Sequence, residues 1–268
     1  MTDTPANRYL VPGLVRGLRL LELFDRARPE WNLSELAAAA ELPRSTTYRL
    51  VVTLTQLGYL ENARSRKTYR LSARVLNLGF EYLGSQELVE VAHAPLERLG
   101  ARIGGSTHLG VLDDTDVVYL LRIAGPSRLA SNVRVGTRLP AHATVMGRSL
   151  LANHSTEALH ARFGDAPLAA ATRETATTLD ALEAQLSEVR GRGYALSVAG
   201  FEAGISSVGA PIRDAGGDVI AAINFIGPDS QFGRDRLLAE VVGPVCETAE
   251  EISRRLGWNG SYVPRAAR

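Results

Sequence analysis

Cysteine is almost missing from this 268-residue chain, in which Cys246 stands alone. A single cysteine excludes an internal disulfide and a multi-cysteine metal cage. Lysine is as scarce: Lys67 is the only one, so arginine supplies the other 29 basic residues. Long apolar runs are missing, and none approaches the ~18 residues that a membrane span needs. Residues 1–8 are polar and lack the apolar stretch of a secretory signal. The expectation is a cytoplasmic protein with no membrane association. Net charge is lacking as well, at +1 from 30 basic and 29 acidic side chains. What is present is a 45% apolar content, enough for a real core in one large domain or two modest ones.

The near-neutral total hides an asymmetry. Residues 1–72 carry eleven basic and seven acidic side chains, a net of +4, and the remainder is −3. A basic segment joined to a mildly acidic one points to an anionic partner for the first part alone.

Leucines at three- and four-residue spacing (Leu14, Leu18, Leu21, with Phe24) predict an amphipathic helix over 10–24. Asn32 or Ser34 can cap a short helix over 35–40. Pro43 sits well just before a third helix, which runs from Ser45 to about Gln56. Tyr59-Leu60 and Tyr69-Arg70-Leu71 read as two short strands around a basic loop. Helix, helix, turn, helix and hairpin make a winged helix-turn-helix. The third helix opens on Arg44, Ser45, Thr46, Thr47, Tyr48 and Arg49. Hydroxyls and arginines at a helix start can reach base edges and phosphates, and the helix dipole favours phosphate there. At the hairpin tip, Arg64, Arg66 and Lys67 suit the neighbouring DNA backbone or minor groove.

Beyond residue 72 a helical connector is expected over 72–84 and a further helix reaching Ile103. Strands are expected over 107–112, 117–123, 194–198, 205–212 and 219–226. Helices are expected over 150–163, 179–191 and 234–256. This mixture lacks strict βαβ alternation and predicts an α+β domain around an antiparallel sheet. Catalytic signals are weak. His108, His142 and Ser149 can be imagined as bases and nucleophile, but no Gly-x-Ser-x-Gly elbow, phosphate loop or dinucleotide fingerprint is present. The five histidines lack metal-ligand spacing, so neither a catalytic set, a metal nor a cofactor is expected. A pocket fits better. Residues 136–147 lead into a helix whose start can hold a carboxylate, and Arg128, Ser131, Arg134, Ser197, Ser206 and Ser207 lie in or beside strands.

The segments GLVRGLRLLELF, LSELAAAAELPRSTTYRLVVTL, LGYL and YRLS, then VGTRLPAHATVMGRSLLA, VRGRGYALS and GISSVGAPIRDAGGDVIAAIN, resemble in order and spacing the isocitrate-lyase-regulator (IclR) family of bacterial transcription factors. VLNLGFEYLGS and VGTRLPAHATVMGR are most similar to the branch that senses protocatechuate or 4-hydroxybenzoate. The resemblance implies a flexible arm over 1–9, a winged helix-turn-helix over 10–72 and a linker helix over 73–88. It further implies a GAF-like effector domain over 89–258 and a tail over 259–268. It implies homodimers, often paired, on operator DNA. DNA-reading positions would fall on Ser45, Thr46, Thr47 and Arg49. The effector pocket would use the Val145 and Met146 backbone with Leu139, Ser197, Ile205 and Ser207, joined by Arg128, Ser131 and His142. Ser197 and Ser207 replace an acid and a cysteine that many members carry, Gly200 stands at a commonly acidic position, and the 128–135 loop is one residue short. Serine in place of an acid favours an anionic ligand, so a small aromatic carboxylate controlling a catabolic operon is expected. A small-acid-processing enzyme with an N-terminal dimerisation segment is the alternative, and an architectural DNA-binding protein a third reading.

Overall fold

The computed structural model describes residues 9–63, 67–84, 87–125 and 133–260, for 80–84 the backbone alone. The chain divides into two compact units, residues 1–85 and 86–268. The segments expected as arm and tail fall largely outside the described residues.

The first unit starts with α1 (Pro12–Glu22), which carries proline in its first turn, where the missing N–H costs nothing. A two-residue strand β1 (Trp31–Asn32) leads into α2 (Leu33–Ala39). Asn32 caps that helix, accepting from the Ser34 and Glu35 N–H groups while Glu35 reaches back to the Asn32 N–H. A turn closed by Pro43 opens α3 (Arg44–Gln56). Strands β2 (Leu60–Asn62) and β3 (Thr68–Leu71) form the hairpin, and β1 adds to the far side of β3. Helix α4 (Val75–Gly84) closes the unit. Leu20, Phe24, Trp31, Leu36, Val51, Leu54 and Leu60 form its core. Burial of this kind contributes about 25 cal/mol per Å² of apolar surface and sets the helix packing.

The α1 stripe turns out to be two stripes. Gly17, Leu20 and Phe24 face the core, whereas Leu14 and Leu18 remain 61% and 51% exposed. A helix with apolar residues on two sides has one face for its own core and one to spare, and periodicity alone does not say which is which.

The second unit is a six-stranded antiparallel sheet in the order β6-β5-β4-β9-β8-β7. Its elements run α5 (Glu87–Ile103), β4 (Ser106–Asp113), β5 (Asp116–Ile123), β6 (Arg138–Pro140), α6 (Val145–Leu151), α7 (Thr156–Phe163), α8 (Leu179–Arg192), β7 (Ala195–Val198), β8 (Ile205–Arg213) and β9 (Val219–Pro228). A short α9 (Arg234–Arg236) passes through a π-helical turn at 237–241 into α10 (Val242–Arg255). The expected helix over 150–163 is two helices, because Ser155 caps a new start at α7. Strands β1 and β6 are additions to the expected set, and the 72–84 helix starts only at Val75.

Register sorts the sheet's two faces. His108, Asn224 and Gly209 pair across three strands and share one face, while Thr107, Phe225 and Val208 share the other. On the second face the Thr107 hydroxyl donates to Leu96 O at 3.0 Å, fixing α5 there. Helix α10 lies beside it, tied by Arg98–Glu251 at 2.8 Å and Arg102–Glu247 at 3.2 Å. On the first face α6 comes so close that a Cβ at Gly209 would lie 2.9 Å from Val145 O. Gly147 is equally constrained, since a Cβ there would overlap the Ala141 backbone. Among the described residues no helix is long and apolar enough to cross a membrane.

Candidate functional site

Helix α3 sorts its residues by its 3.6 period. Thr47, Val51 and Leu54 form the buried side, and Arg44, Ser45, Tyr48 and Arg49 point to solvent with Thr46 half-buried. Thr47 therefore departs from the expected contact set. It is 0% exposed, and its hydroxyl donates to Pro43 O at 3.2 Å, satisfying the polar group in place. The first turn holds no acidic side chain and no side-chain cap, so its free N–H groups and positive dipole end stand with Arg44 and Arg49. The ion pairs among the described residues of this unit are Arg28–Glu35 and Arg70–Glu61, which leave Arg44, Arg49 and the exposed Lys67 out. Arg64 and Arg66 lie outside the described residues.

In the second unit a cavity of about 40 Å³ opens between the first face of the sheet and the start of α6. Val133, Leu139, Phe201, Ile205 and Ile226 form its apolar walls. Tyr119, Thr144, Ser207 and Asn224 give it polar groups, with Glu202 at its edge. Thr144 caps α6 by accepting from the Gly147 N–H at 3.0 Å, which leaves the Val145 and Met146 N–H groups without an intrahelical partner. Of the residues expected from sequence, Leu139, Val145, Ile205 and Ser207 come together here. Met146 is fully buried in the core behind it. His142 packs edge-on against Phe163 and contacts Ala169 O at 2.9 Å. Ser197 lines a separate cavity beside Arg148. Arg128 and Ser131 lie outside the described residues.

Tyr119, Thr144 and Asn224 escaped the sequence reading. Asn224 did carry a signal, as the one polar residue in the run Val219–Ile226. Its Oδ1 lies 2.9 Å from His108 Nδ1. Burial pushes His108 from 6.5 down to about 4, partly offset by this hydrogen bond and reinforced by Arg122. The ring is therefore neutral near pH 7, and with Asn224 Oδ1 accepting, Nδ1 carries the proton. That leaves Nε2 as a buried acceptor without a hydrogen-bond partner, on a ring that packs T-shaped against Tyr119. Burial raises Tyr119 well above its ordinary value, so its hydroxyl stays protonated.

His108 makes stability pH-dependent. Its folded pKa is depressed, so the unfolded chain takes up the proton first as pH falls below 6.5. Stability is complete above pH 6.5, declines toward pH 4 and loses no more from this group below that. The full loss is about 3 kcal/mol. Urea midpoints between those limits should fall more steeply for the native chain than for His108→Gln. Equal slopes would show that His108 is not held neutral by the fold.

Residues 13–64 match the IclR helix-turn-helix domain, and residues 80–254 match the C-terminal domain of the bacterial transcriptional regulator IclR. The chain belongs to the IclR family. It is 34% identical over 212 residues to the Pca regulon regulatory protein of Pseudomonas putida, covering 79% of this chain and 72% of that protein. A crystal structure of a putative transcriptional regulator from Rhodococcus sp. RHA1 superposes with a TM-score of 0.80 at 35% identity, over 92% of this chain and 98% of the other. An IclR homolog from Microbacterium hydrocarbonoxydans, solved in complex with 4-hydroxybenzoate, gives 0.78 at 30% identity over 91% and 98%. As an IclR-family member the chain is a transcriptional regulator with an N-terminal helix-turn-helix and a ligand-binding C-terminal domain. Relatives in the IclR family carry the names of regulators and repressors, and the enzyme alternative finds no support among them.

Proposed function

We propose that this IclR-type regulator senses a small aromatic carboxylate and controls a catabolic operon from the bacterial cytoplasm. The cavity under α6 carries the reading. Its walls are apolar, Tyr119, Thr144, Ser207 and Asn224 are neutral and Glu202 is the one carboxylate in the lining, which suits a flat ring bearing one anionic group once the walls part around it. In this reading the carboxylate meets the Val145 and Met146 N–H groups and the Ser207 hydroxyl, with Arg128 and Ser131 as further candidates. Tyr119 and Asn224 face the ring's far side. The names of two relatives support the ligand class: one regulates a Pca regulon and one was solved with 4-hydroxybenzoate.

On the DNA side, residues 10–72 act as the reading head, with Arg44, Ser45, Thr46, Tyr48 and Arg49 toward the major groove and the 64–67 tip on the backbone. The exposed residues Leu10, Val11, Leu14 and Leu18 support a homodimer, because covering their remaining apolar surface contributes about 1 kcal/mol each toward association. Residues 73–88 serve as the linker and 89–258 as the sensor. Ligand control then requires different ligand affinity in two arrangements of the dimer.

Calorimetry with 4-hydroxybenzoate, protocatechuate and phenol tests the pocket. Binding of one or both acids and not of phenol is the expected result. Ser207→Ala should weaken that binding about tenfold, the worth of one hydrogen bond to a charged group. Failure of both acids, or equal binding of phenol, would overturn the carboxylate reading.

A further inference from the structure

A second cavity, of about 210 Å³, lies at the β7 edge of the sheet, against α8. At about 15 Å³ per enclosed water, that is room for a dozen or so water molecules, hence for a small organic solute. Arg148, on α6, projects into it and is only 9% exposed. Its guanidinium donates to Gln185 Oε1 at 3.1 Å and to Leu196 O at 3.4 Å, both neutral acceptors. Among the described residues no carboxylate comes within 4.0 Å of it.

The neighbours add positive charge. Arg192 and Arg234 also line the cavity. Arg192 is held in place by donating Nε–H to Tyr194 O at 2.7 Å and by stacking over the Tyr194 ring. Ser197 contributes a hydroxyl, and Gly200 packs so closely against it that a Cβ there would overlap its oxygen. Glu174 and Glu188 complete the lining, and both are exposed to solvent. Burial, then the push from Arg192, lowers Arg148 to about 10, and Glu188 offsets only part of this. A buried charge with no counter-ion beside it is costly, and a protein keeps one where something compensates it.

We propose that this cavity is a second ligand site, gripping a small oxyanion, carboxylate or phosphate, through Arg148, with Arg192, Arg234 and the Ser197 hydroxyl around it. A guanidinium with a planar fork of donors binds such groups in paired hydrogen bonds. The site has its own lining beside the cavity that Ser207 lines, with Ser197 and Ser207 paired across β7 and β8 where the two adjoin.

The test uses the full chain and two probes, malonate and inorganic phosphate, against chloride at equal ionic strength. At least one probe should bind saturably, at one equivalent per chain by calorimetry, and raise the melting temperature. Whichever binds tells carboxylate from phosphate recognition. Gln185→Glu keeps the side-chain shape and places a carboxylate on the Arg148 Nη1 hydrogen bond. It should melt at or above the native temperature in chloride, and its affinity for the probe should fall at least about tenfold. Where 4-hydroxybenzoate binds, saturating probe should leave its affinity unchanged. Where it does not, the probe response stands by itself. No response to either probe, an undiminished response in Gln185→Glu, or competition between probe and 4-hydroxybenzoate would each overturn the proposal.

Discussion

Arg49→Ala should strongly weaken specific operator binding while leaving the fold intact. Arg49 is exposed on the first turns of α3, makes no ion pair among the described residues and packs into nothing that its loss would open. An arginine reading a guanine edge gives about 1–3 kcal/mol of discrimination. The proposed dimer would read with two copies, so the loss is about 2–6 kcal/mol, or roughly 30-fold to more than 10⁴-fold. The whole gap between specific and non-specific binding is about 4–10 kcal/mol. Fluorescence anisotropy with operator and scrambled duplexes reads the outcome, and the variant's preference for operator should fall at least about 30-fold. Lys67→Ala makes the contrast. As a phosphate contact it should weaken both duplexes equally and reduce the salt slope by about one per contact. Full operator affinity in Arg49→Ala would remove Arg49 from the reading set.

Gly147→Val should be the most damaging single change to the sensor. The α6 start is pressed between the sheet and the 141–144 loop, and a Cβ at residue 147 would overlap the Ala141 backbone. Main chain cannot rotate away as a side chain can, so α6 must shift. That moves Thr144 and Val145 out of the cavity wall and breaks the close approach of Val145 O to Gly209. Overpacking a close-packed site costs about 1–3 kcal/mol, and backbone displacement takes it to the upper end or beyond. For a unit of this size about 3 kcal/mol lowers the melting temperature by roughly 6–12 °C. Gly191→Ala is the control. It lies in α8 with open space around its Cβ position, and alanine there should be neutral or stabilise by about 1 kcal/mol. A normal melt and normal ligand affinity in Gly147→Val would contradict the packing described here.

These expectations differ in how far the sequence foretold them. The α3 surface was readable because its signals are local: Pro43 ahead of the helix, Asn32 capping the one before, hydroxyls and arginines in the first turns. Thr47 differs at the same spot, since it stands in sequence among the residues expected to read DNA but lies on the buried Val51 and Leu54 side of the helix. The break inside 150–163 also had a local mark, the cap at Ser155, which a continuous apolar pattern obscured. The second stripe of α1 had no such mark, because a face kept for a partner looks like a face kept for the core. The cavity was half-readable. Leu139, Val145, Ile205 and Ser207 belong to segments whose polar or glycine-rich texture draws the eye. Tyr119 and Asn224 sit in apolar strands that pairing alone brings beneath α6. Arg148 was hidden most completely, since an arginine on a helix reads as solvated until the sheet edge and α8 are packed around it.

DNase footprinting with the whole 268-residue chain tests the central claim most directly, on a duplex that the protein itself selects from a random pool. Titrations are run with and without the aromatic acid that calorimetry identifies. Two symmetric protected half-sites, about one helical turn apart, are expected. Saturating acid should shift the protein concentration that gives half-protection by about tenfold, within the usual range of coupling between sites. The same footprint at the same concentrations with and without a bound acid would contradict ligand control of DNA binding.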